Sequence, residues 1–319
     1  MAIVKIQLAV ICLLVTTCSF AQTQWPTKPI KFIVPIAVGG VTDAIIRKAS
    51  QSLSLKLGQS IVVENIVGAN GNIGAEACAR ANADGYTFCI LNTGITSVNP
   101  LLYEKQTFDP IKAFIPVANF YSLTGAIVAS RNSNLKSFKD LRHMTKSETG
   151  EINFGTIGVG SYPAIFLSWL NKTWDTKIAE IPYKGGGPVS IALQAGEVQL
   201  SAAALGNFLG QVKDGRLEAI AVSSQNRTKQ LPQVPTFKEL GLDDFKGKLW
   251  WGVFAPAGTP NAFIGRMNAE INLLANSPQF IEYLESQAAE PLTGTPDDFS
   301  KYVKLDQAWT AELIKEIKK

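Results

Sequence analysis

The chain has 319 residues, of which 46% are hydrophobic and 18% are charged, and its formal net charge is +4. That hydrophobic fraction is ordinary for a folded protein, so the composition excludes global disorder. The positive charge is small and scattered, which argues against nucleic acid as the main partner, and a single histidine excludes a His-rich metal site. The length predicts two domains or one large α/β unit.

The beginning of the chain has the layout of a secretory signal peptide. Lys5 gives a positively charged start, residues 6–15 form an apolar run, and Ser19 and Ala21 supply the small residues of a cleavage site. We therefore predict export, with residues 1–21 removed by cleavage near Ala21. No later segment offers about 18 uninterrupted apolar residues, so we expect a soluble mature protein.

Cleavage at that point leaves two cysteines, Cys78 and Cys89. In an exported protein, two cysteines permit one disulfide. Alternatively, each cysteine acts as a small hydrophobic residue, with Cys78 on a helix face and Cys89 in a buried strand. We favour this second interpretation.

Strand-like and helix-like runs alternate along the chain. Residues 31–34 form a short apolar strand that Pro35 ends, and residues 42–57 carry apolar side chains at helical spacing before Gly58. We predict further strands at residues 60–64, 86–91, 125–130, 152–156, 178–182, 217–223 and 250–255. We predict further helices at residues 72–83, 137–144, 162–172, 189–195 and 207–213.

Two more helices close the chain. Thr259 followed by Pro260 predicts an N-cap and a first helical residue, and an apolar stripe follows them. Residues 297–319 form an amphipathic helix that we expect to pack on one lobe. The whole alternation predicts right-handed βαβ units, mostly parallel sheets and an α/β fold of two lobes.

Three glycine-containing turns follow predicted strands, at residues 35–43, 93–96 and 155–162. Glycine lets the backbone approach a ligand, and the helix after such a turn points free N–H groups at the same place. Two such turns facing each other would hold a carboxylate without any arginine. A lone turn is more often an ordinary strand-to-helix connection, but three of them favour an anion site.

Other polar and aromatic candidates have simpler explanations. We expect Asp43 to cap the first helix and His143 to lie at an exposed helix end. Lys184 could assist an anion site, although a lysine after a strand is usually just solvated. Trp250 and Trp251 more often fill a core than stack on a ligand. The sequence has neither a GxxxxGK[ST] nor a GxSxG motif, which weakens nucleotide and serine-hydrolase interpretations.

Short segments along nearly all of the mature chain match the pattern of one family in order. They read WPTKPI (25–30), GGVTD (39–43), VEN (63–65), GNIGAE (71–76), DGYT (84–87), NP (99–100), PYKG (182–185), LEAIAV (217–222), VPT (234–236), APAGTP (255–260) and GTP (294–296). The chain therefore resembles the periplasmic substrate-binding proteins of tripartite tricarboxylate transporters, the Bug proteins.

The resemblance implies a two-lobed Venus-flytrap fold of the type II periplasmic-binding class, with a small organic acid held in the cleft between the lobes. It also implies a two-component integral membrane permease as partner, no cofactor and no metal, and a periplasmic location. We expect a monomer, with residues 22–121 plus 249–319 as the first lobe and residues 122–248 as the second. The residues expected at the ligand are Val38, Gly39, Gly40, Thr42, Asp43, Thr93, Gly94, Thr156, Gly158, Val159, Gly160, Ser161, Tyr162, Lys184 and Ala204.

The chain departs from the family pattern at three places. The first turn has Val38 and Val41 where the family has Pro and Gly, and the second-lobe helix begins with Tyr162 in place of serines and a histidine. Residues 201–204 read SAAA where many members carry an Asp that faces the cleft. A desolvated ammonium needs an acceptor, so we predict a non-amino carboxylate, with an aromatic or apolar body against Tyr162.

Two other functions fit the same scaffold. An exported small-molecule enzyme would need a nucleophile and a base, and the single histidine has no serine or cysteine near it in sequence. A solute sensor for a signalling partner cannot be separated from a transport protein by sequence.

Overall fold

The computed structural model describes residues 25–103, 107–145, 152–245 and 247–318, which form two mixed α/β sheets. The predicted signal peptide lies outside these residues. The strands are β1 Ile30–Val34, β2 Ile61–Asn65, β3 Thr87–Asn92, β4 Phe114–Leu123, β5 Gly125–Ser130, β6 Asn153–Thr156, β7 Ala179–Pro182, β8 Leu200–Ala204, β9 Leu217–Val222, β10 Trp250–Pro256 and β11 Ala289–Pro291. Within the same residues, no helix is both long and apolar enough to cross a bilayer.

Helices connect these strands and cover both sheets. They are α1 Val41–Leu57, α2 Asn72–Ala79, α3 Asn99–Leu102, α4 Pro110–Ala113, α5 Phe138–Met144, α6 Tyr162–Trp174, α7 Gly186–Ala195, α8 Leu209–Lys213, α9 Asn261–Ala275, α10 Pro278–Ser286 and α11 Pro296–Lys318. The helix predicted at residues 42–57 is confirmed as α1, which ends where Gly58 takes the left-handed conformation at φ 69°.

The first sheet has the order β11-β4-β10-β3-β1-β2, and the second has the order β7-β6-β8-β5-β9. Among the strands named above, the parallel pairs lie at one side of each sheet: β1 with β2 and β3, and β6 with β7 and β8. The remaining neighbours are antiparallel. The prediction of mostly parallel sheets is therefore wrong, because β4 and β10 of the first sheet, and β5 of the second, run against their neighbours.

Three strands and three helices were not predicted, namely β4, β8 and β11, and α3, α4 and α10. Strand β4 is buried along most of its length and contains a proline, so it lacks the alternation that marks a half-buried strand. Strand β8 reads LSAAA and is fully buried, and alanine has little strand preference. Helix α10 follows α9 after two residues. Thr259 is not an N-cap, since its hydroxyl donates to the Pro256 carbonyl at 2.8 Å and the helix begins at Asn261.

Cys78 and Cys89 form a disulfide, so the interpretation of two separate thiols is wrong. Their positions agree with the sequence: Cys78 lies on α2, Cys89 lies in β3, and both are fully buried. Helix α2 packs directly on β3, which brings the two Cα atoms to 6.1 Å. That separation is typical of a disulfide.

Other predictions about single residues are confirmed. His143 is exposed in the last turn of α5. Trp250 and Trp251 are both buried, Trp250 against Phe254 and Phe299 and Trp251 in the hydrophobic cluster beneath α1.

The C-terminal helix α11 packs on both lobes, not on one as predicted. Near its start, Phe299 and Val303 lie in the cluster around Trp250 of the first sheet. About three turns later, Leu313 and Ile314 join the core of the second sheet beside α6. The helix therefore belongs to two hydrophobic cores at once.

The chain crosses between the sheets at adjacent points. Strands β4 and β5 are separated by Thr124 alone, and the return crossing reaches β10 through Leu249. The Leu123 N–H donates to the Leu249 carbonyl at 2.7 Å, and the Thr124 N–H donates to the Ala288 carbonyl at 2.9 Å. Three segments thus run side by side where the two lobes join, which is the arrangement of a hinge.

Candidate ligand site between the lobes

The turn between β1 and α1 is shaped by Asp43. Its carboxylate accepts the Gly39 N–H at 3.1 Å, the Asn65 amide at 3.0 Å and the Arg47 Nε at 3.0 and 3.1 Å. Asp43 is only 3% exposed. Burial opposes ionisation, but the hydrogen bonds from Arg47, Gly39 and Asn65 outweigh it and hold the pKa of Asp43 below its usual value. The side chain thus fixes the turn from inside.

The rest of this turn presents backbone. Thr42 is buried beside the Tyr121 hydroxyl, whose pKa burial raises far above its usual value. Val38 is 68% exposed, and a Cβ added at Gly39, where φ is +91°, would meet no atom within 4 Å. Gly40 caps α1 without any side-chain hydrogen bond. The turn therefore offers N–H groups and an apolar side chain to the space in front of it.

The turn between β6 and α6 is also held by its own side chains. The Thr156 hydroxyl donates to Glu180 Oε1 at 2.6 Å and accepts the Gly158 N–H at 3.2 Å. The Ser161 hydroxyl donates to the Gly158 carbonyl at 2.6 Å and accepts the Ala164 N–H at 3.4 Å, which caps α6. Each hydroxyl has only one proton, and both protons are used within the turn, so neither hydroxyl can donate to a ligand carboxylate.

The exposed part of this second turn again consists of backbone and one valine. A Cβ at Gly158, where φ is +89°, would meet nothing within 4 Å, and Val159 is 62% exposed. The two turns are thus alike: each has a glycine facing open space, an exposed valine and a following helix.

Tyr162 points its hydroxyl toward the hinge. That hydroxyl is buried and lies 2.6 Å from where a Cβ on Gly125 would stand, next to Ser223. Burial raises the pKa of Tyr162 well above its usual value, and Ser223 offsets only part of the shift. The ring packs edge-on against Phe245 at 5.6 Å. The Tyr162 side chain therefore belongs mainly to the hinge side of the second lobe.

The turn after β3 is tied to the C-terminal helix. The hydroxyls of Thr93 and Ser97 each donate to Asp306 Oδ2 at 2.6 Å, and Asp306 is 2% exposed. Burial, with this carboxylate nearby, raises the pKa of Tyr302 to about 12. The Thr93 hydroxyl is therefore part of a buried network, and Gly94 is itself buried beside the side chains of Asn92 and Asn70.

The last two predicted site residues differ in their surroundings. Lys184 is exposed on the loop before α7. The next residue, Gly185, approaches the first lobe, since a Cβ there would stand 4.0 Å from the Cβ of Ala37. Ala204 is buried among hydrophobic residues of the first lobe, at the end of β8.

Direct contacts bring the turns of the two lobes together. On one side, the Val41 N–H donates to Asn207 Oδ1 at 3.1 Å. On the other, the Tyr103 hydroxyl donates to the Val159 carbonyl at 3.2 Å, and a Cβ at Gly160 would stand 3.0 Å from the amide nitrogen of Asn70. The chain is therefore in a closed arrangement, with the β1–α1 and β6–α6 turns on opposite walls.

Asn70, Asn99 and Asn207 were not identified from the sequence. Ala69 and Asn70 both take positive φ, 45° and 50°, and Asn70 donates to Asn99 Oδ1 at 2.8 Å. An asparagine among glycines signals a left-handed turn but not a contact with another lobe. Nothing near Asn207 in the sequence indicates its role, because its partner Val41 lies 166 residues away.

Several backbone donors on these walls have no protein acceptor within the described ranges. They are the N–H groups of Gly40, Thr42, Val159, Gly160, Tyr162, Gly186 and Gly187. They stand at the N-terminal ends of α1, α6 and α7, where the helix dipole favours negative charge. In the same ranges, no three His, Cys, Asp or Glu side chains come together as a metal site requires. The geometry suits an anion bound mainly by backbone N–H groups.

Comparison with known proteins agrees with this architecture. A family model described as a tripartite tricarboxylate transporter family receptor matches residues 45–318. BugT of Bordetella pertussis is 31% identical over 315 residues, which cover 97% of this chain and 96% of BugT.

Solved structures match over the same extent. The periplasmic binding protein BugD has a TM-score of 0.86 at 30% identity, covering 92% of this chain and 98% of BugD. Rpa4515 of R. palustris, solved with adipate, has a TM-score of 0.88 at 29% identity, covering 92% and 98%. MatC (Rpa3494) of Rhodopseudomonas palustris, solved with malate, has a TM-score of 0.84 at 26% identity, covering 91% and 100%. The predicted two-lobed binding-protein fold is confirmed, and the chain belongs to the tripartite tricarboxylate transporter receptor family, as its resemblance to the Bug proteins indicated.

Proposed function

We propose that this solute-binding protein captures a small non-amino carboxylate, most simply a dicarboxylate of about four to six carbons, between its lobes. The observation that carries the proposal is the set of unpartnered N–H groups on both walls of the closed cleft. An ionised carboxylate can only accept hydrogen bonds, so it pairs well with such N–H donors. Adipate and malate, the acids in the Rpa4515 and MatC structures, are both dicarboxylates.

The preference for a non-amino acid rests on strand β8. Ser201 donates its hydroxyl to the Gly155 carbonyl at 2.7 Å, and the three alanines that follow offer no side-chain acceptor. A buried ammonium would have no carboxylate partner from this strand, which costs free energy. The exposed valines, Val38 and Val159, suit the methylene chain of a dicarboxylate instead.

Binding works through closure. The contacts between Val41 and Asn207 and between Tyr103 and Val159 join different lobes, so they form only when the lobes approach. A ligand that touches both walls shifts the open–closed equilibrium toward this state. A Kd of 1 μM corresponds to about −8 kcal/mol, which a few charge-assisted hydrogen bonds of about 1.5–3 kcal/mol each can supply.

The remaining parts of the proposal concern the cellular role. We infer that the mature protein, cleaved near Ala21, works as a monomer in the periplasm and presents its ligand to a two-component membrane permease. It performs no covalent chemistry on the ligand. The lobes comprise residues 22–121 plus 249–319 and residues 122–248, a division supported by the crossings at Thr124 and Leu249.

The site proposed to bind the ligand comprises the backbone and exposed side chains of the predicted residues. Gly39, Gly40, Gly158, Val159 and Gly160 line the facing turns, and Lys184 stands at the rim. The side chains of Asp43, Thr93, Thr156 and Ser161 hold these turns in shape, so we assign them a supporting role. Thr42 is buried beside the Tyr121 hydroxyl and has the same role.

A panel of acids tests the proposal. Thermal shift and calorimetry with malate, succinate, glutarate and adipate should show stabilisation by at least one of them, and aspartate and glutamate should bind far more weakly. Tight binding of aspartate would contradict the non-amino assignment. Consumption of a bound acid, followed by NMR, would favour an enzyme.

Two matched variants locate the site. Val159→Glu places a carboxylate on the second-lobe turn and should abolish binding by like-charge repulsion. Val62→Glu makes the same change at an exposed position on the outer strand β2, where the valine is 51% exposed, and should leave binding unchanged. Equal affinity of both variants would place the ligand elsewhere.

A further inference from the structure

Asn207 reaches from the second lobe to the first. It lies between β8 and α8, and its Oδ1 accepts the Val41 N–H at 3.1 Å. Gly40, the residue before α1, has no side chain to accept that N–H. The first helix of one lobe is therefore capped by a residue of the other.

This bond also fixes which way the Asn207 amide faces. A backbone N–H can only donate, so the oxygen of the amide must face Val41 and the nitrogen must face away from it. The nitrogen lies beside Gly186, 2.7 Å from where a Cβ on that glycine would stand. It has no acceptor among the residues that the structure describes, so two further N–H donors stand next to those of Gly186 and Gly187.

We propose that Asn207 is a specificity-determining residue that donates its amide N–H groups to the ligand carboxylate, oriented by the Val41 N–H. The inference rests on the proposed function, since it names a side chain of the same site. Because the orienting bond joins the lobes, Asn207 is held in this donating orientation only on closure. A carboxylate accepts from this amide, whereas an ammonium finds no acceptor there, so the residue selects against amino groups.

Asn207 could instead serve only as a cap that holds the lobes together, and Asn207→Asp separates the two roles. The variant keeps an oxygen acceptor for Val41 and adds negative charge at a helix N-terminus, so a cap alone would be preserved or strengthened. It replaces the two donors by an acceptor, so a ligand-binding residue would be lost and would repel the carboxylate.

The test is calorimetry with the panel acid that binds wild type most tightly, on wild type, Asn207→Asp and Asn132→Asp. Asn132 is exposed next to Ser130 at the far end of β5, so its variant carries the same charge change outside the cleft. We expect Asn207→Asp to weaken binding about 10- to 100-fold or more, and Asn132→Asp to match wild type. Equal Kd values for all three proteins would overturn the inference.

A second measurement separates this inference from the proposed function. Sulfate, titrated into the same proteins and followed by thermal shift, probes the donors without any organic acid. Stabilisation of wild type and Asn132→Asp, but not of Asn207→Asp, supports the donor role even if no acid of the panel binds. Equal stabilisation of all three, together with normal acid binding by wild type, refutes the role of Asn207 and leaves the proposed function intact.

Discussion

Gly160 lies where the two lobes touch, and replacing it with alanine should weaken ligand binding without unfolding the protein. An added Cβ would stand 3.0 Å from both Asn70 Nδ2 and Asn99 Oδ1 of the other lobe. That contact exists only when the lobes are closed. Gly160 also has φ +80°, so alanine is strained in the open form as well.

The two costs can be worked out separately. A left-handed alanine costs about 1–2 kcal/mol in both the open and the closed form, so it lowers the free energy of unfolding but not the closure equilibrium. The overpacked contact with the Asn70–Asn99 pair costs about 1–3 kcal/mol in the closed form alone. We therefore expect Kd to rise about 5- to 150-fold.

Gly241→Ala is the matched control. Gly241 lies on the same lobe with φ +70°, and a Cβ there would meet nothing within 4 Å. Calorimetry should give Gly241→Ala the wild-type Kd, while chemical unfolding should show similar losses of stability for both variants. If Gly160→Ala and Gly241→Ala bind equally well, the lobes do not close in the way that the Gly160 contact requires.

Three further predictions concern stability. Asp43→Asn should lower the free energy of unfolding by about 1–3 kcal/mol. The difference in free energy of unfolding between wild type and variant should be full above the ordinary pKa of 3.8, because the folded state stabilises the carboxylate. It should disappear as the pH falls through the lower pKa of the folded state. A denaturation series from pH 7 to pH 2 measures this, and a difference that is constant with pH would contradict it. The double variant Cys78→Ala/Cys89→Ala should lose about 3 kcal/mol of free energy of unfolding, because the disulfide restricts the unfolded chain by closing a loop between residues 11 apart. Chemical unfolding against wild type measures the loss, and an unchanged midpoint would contradict it. Ser97→Ala should lower the free energy of unfolding by about 1–3 kcal/mol, because it removes one of the two hydroxyl donors to the buried Asp306 carboxylate. A lower melting temperature would confirm this loss, and an unchanged one would contradict it.

The sequence predicts best those elements whose signals are local. Helix α1 has a periodic apolar face and a glycine stop, and the turns at Gly39 and Gly158 carry the glycines that their positive φ requires. These features depend on neighbouring residues only, so their positions could be read from the chain. The anion-site hypothesis followed from such turns.

Features that depend on distant residues were missed. Strand β8 is recognisable only from its position between β5 and β6, since its alanines have no strand preference of their own. The role of Asn207 depends on its contact with Val41, which lies far away in the sequence, and the disulfide depends on the packing of α2 on β3. Likewise, the sequence predicts Thr93 and Ser161 at the ligand, but their hydroxyls donate hydrogen bonds within the protein.

The C-terminal helix has a consequence for how the chain folds. Phe299 and Val303 complete one hydrophobic core, and Leu313 and Ile314 complete the other. Both cores thus depend on one segment, so a chain cut short before Phe299 would leave apolar surface uncovered in both lobes.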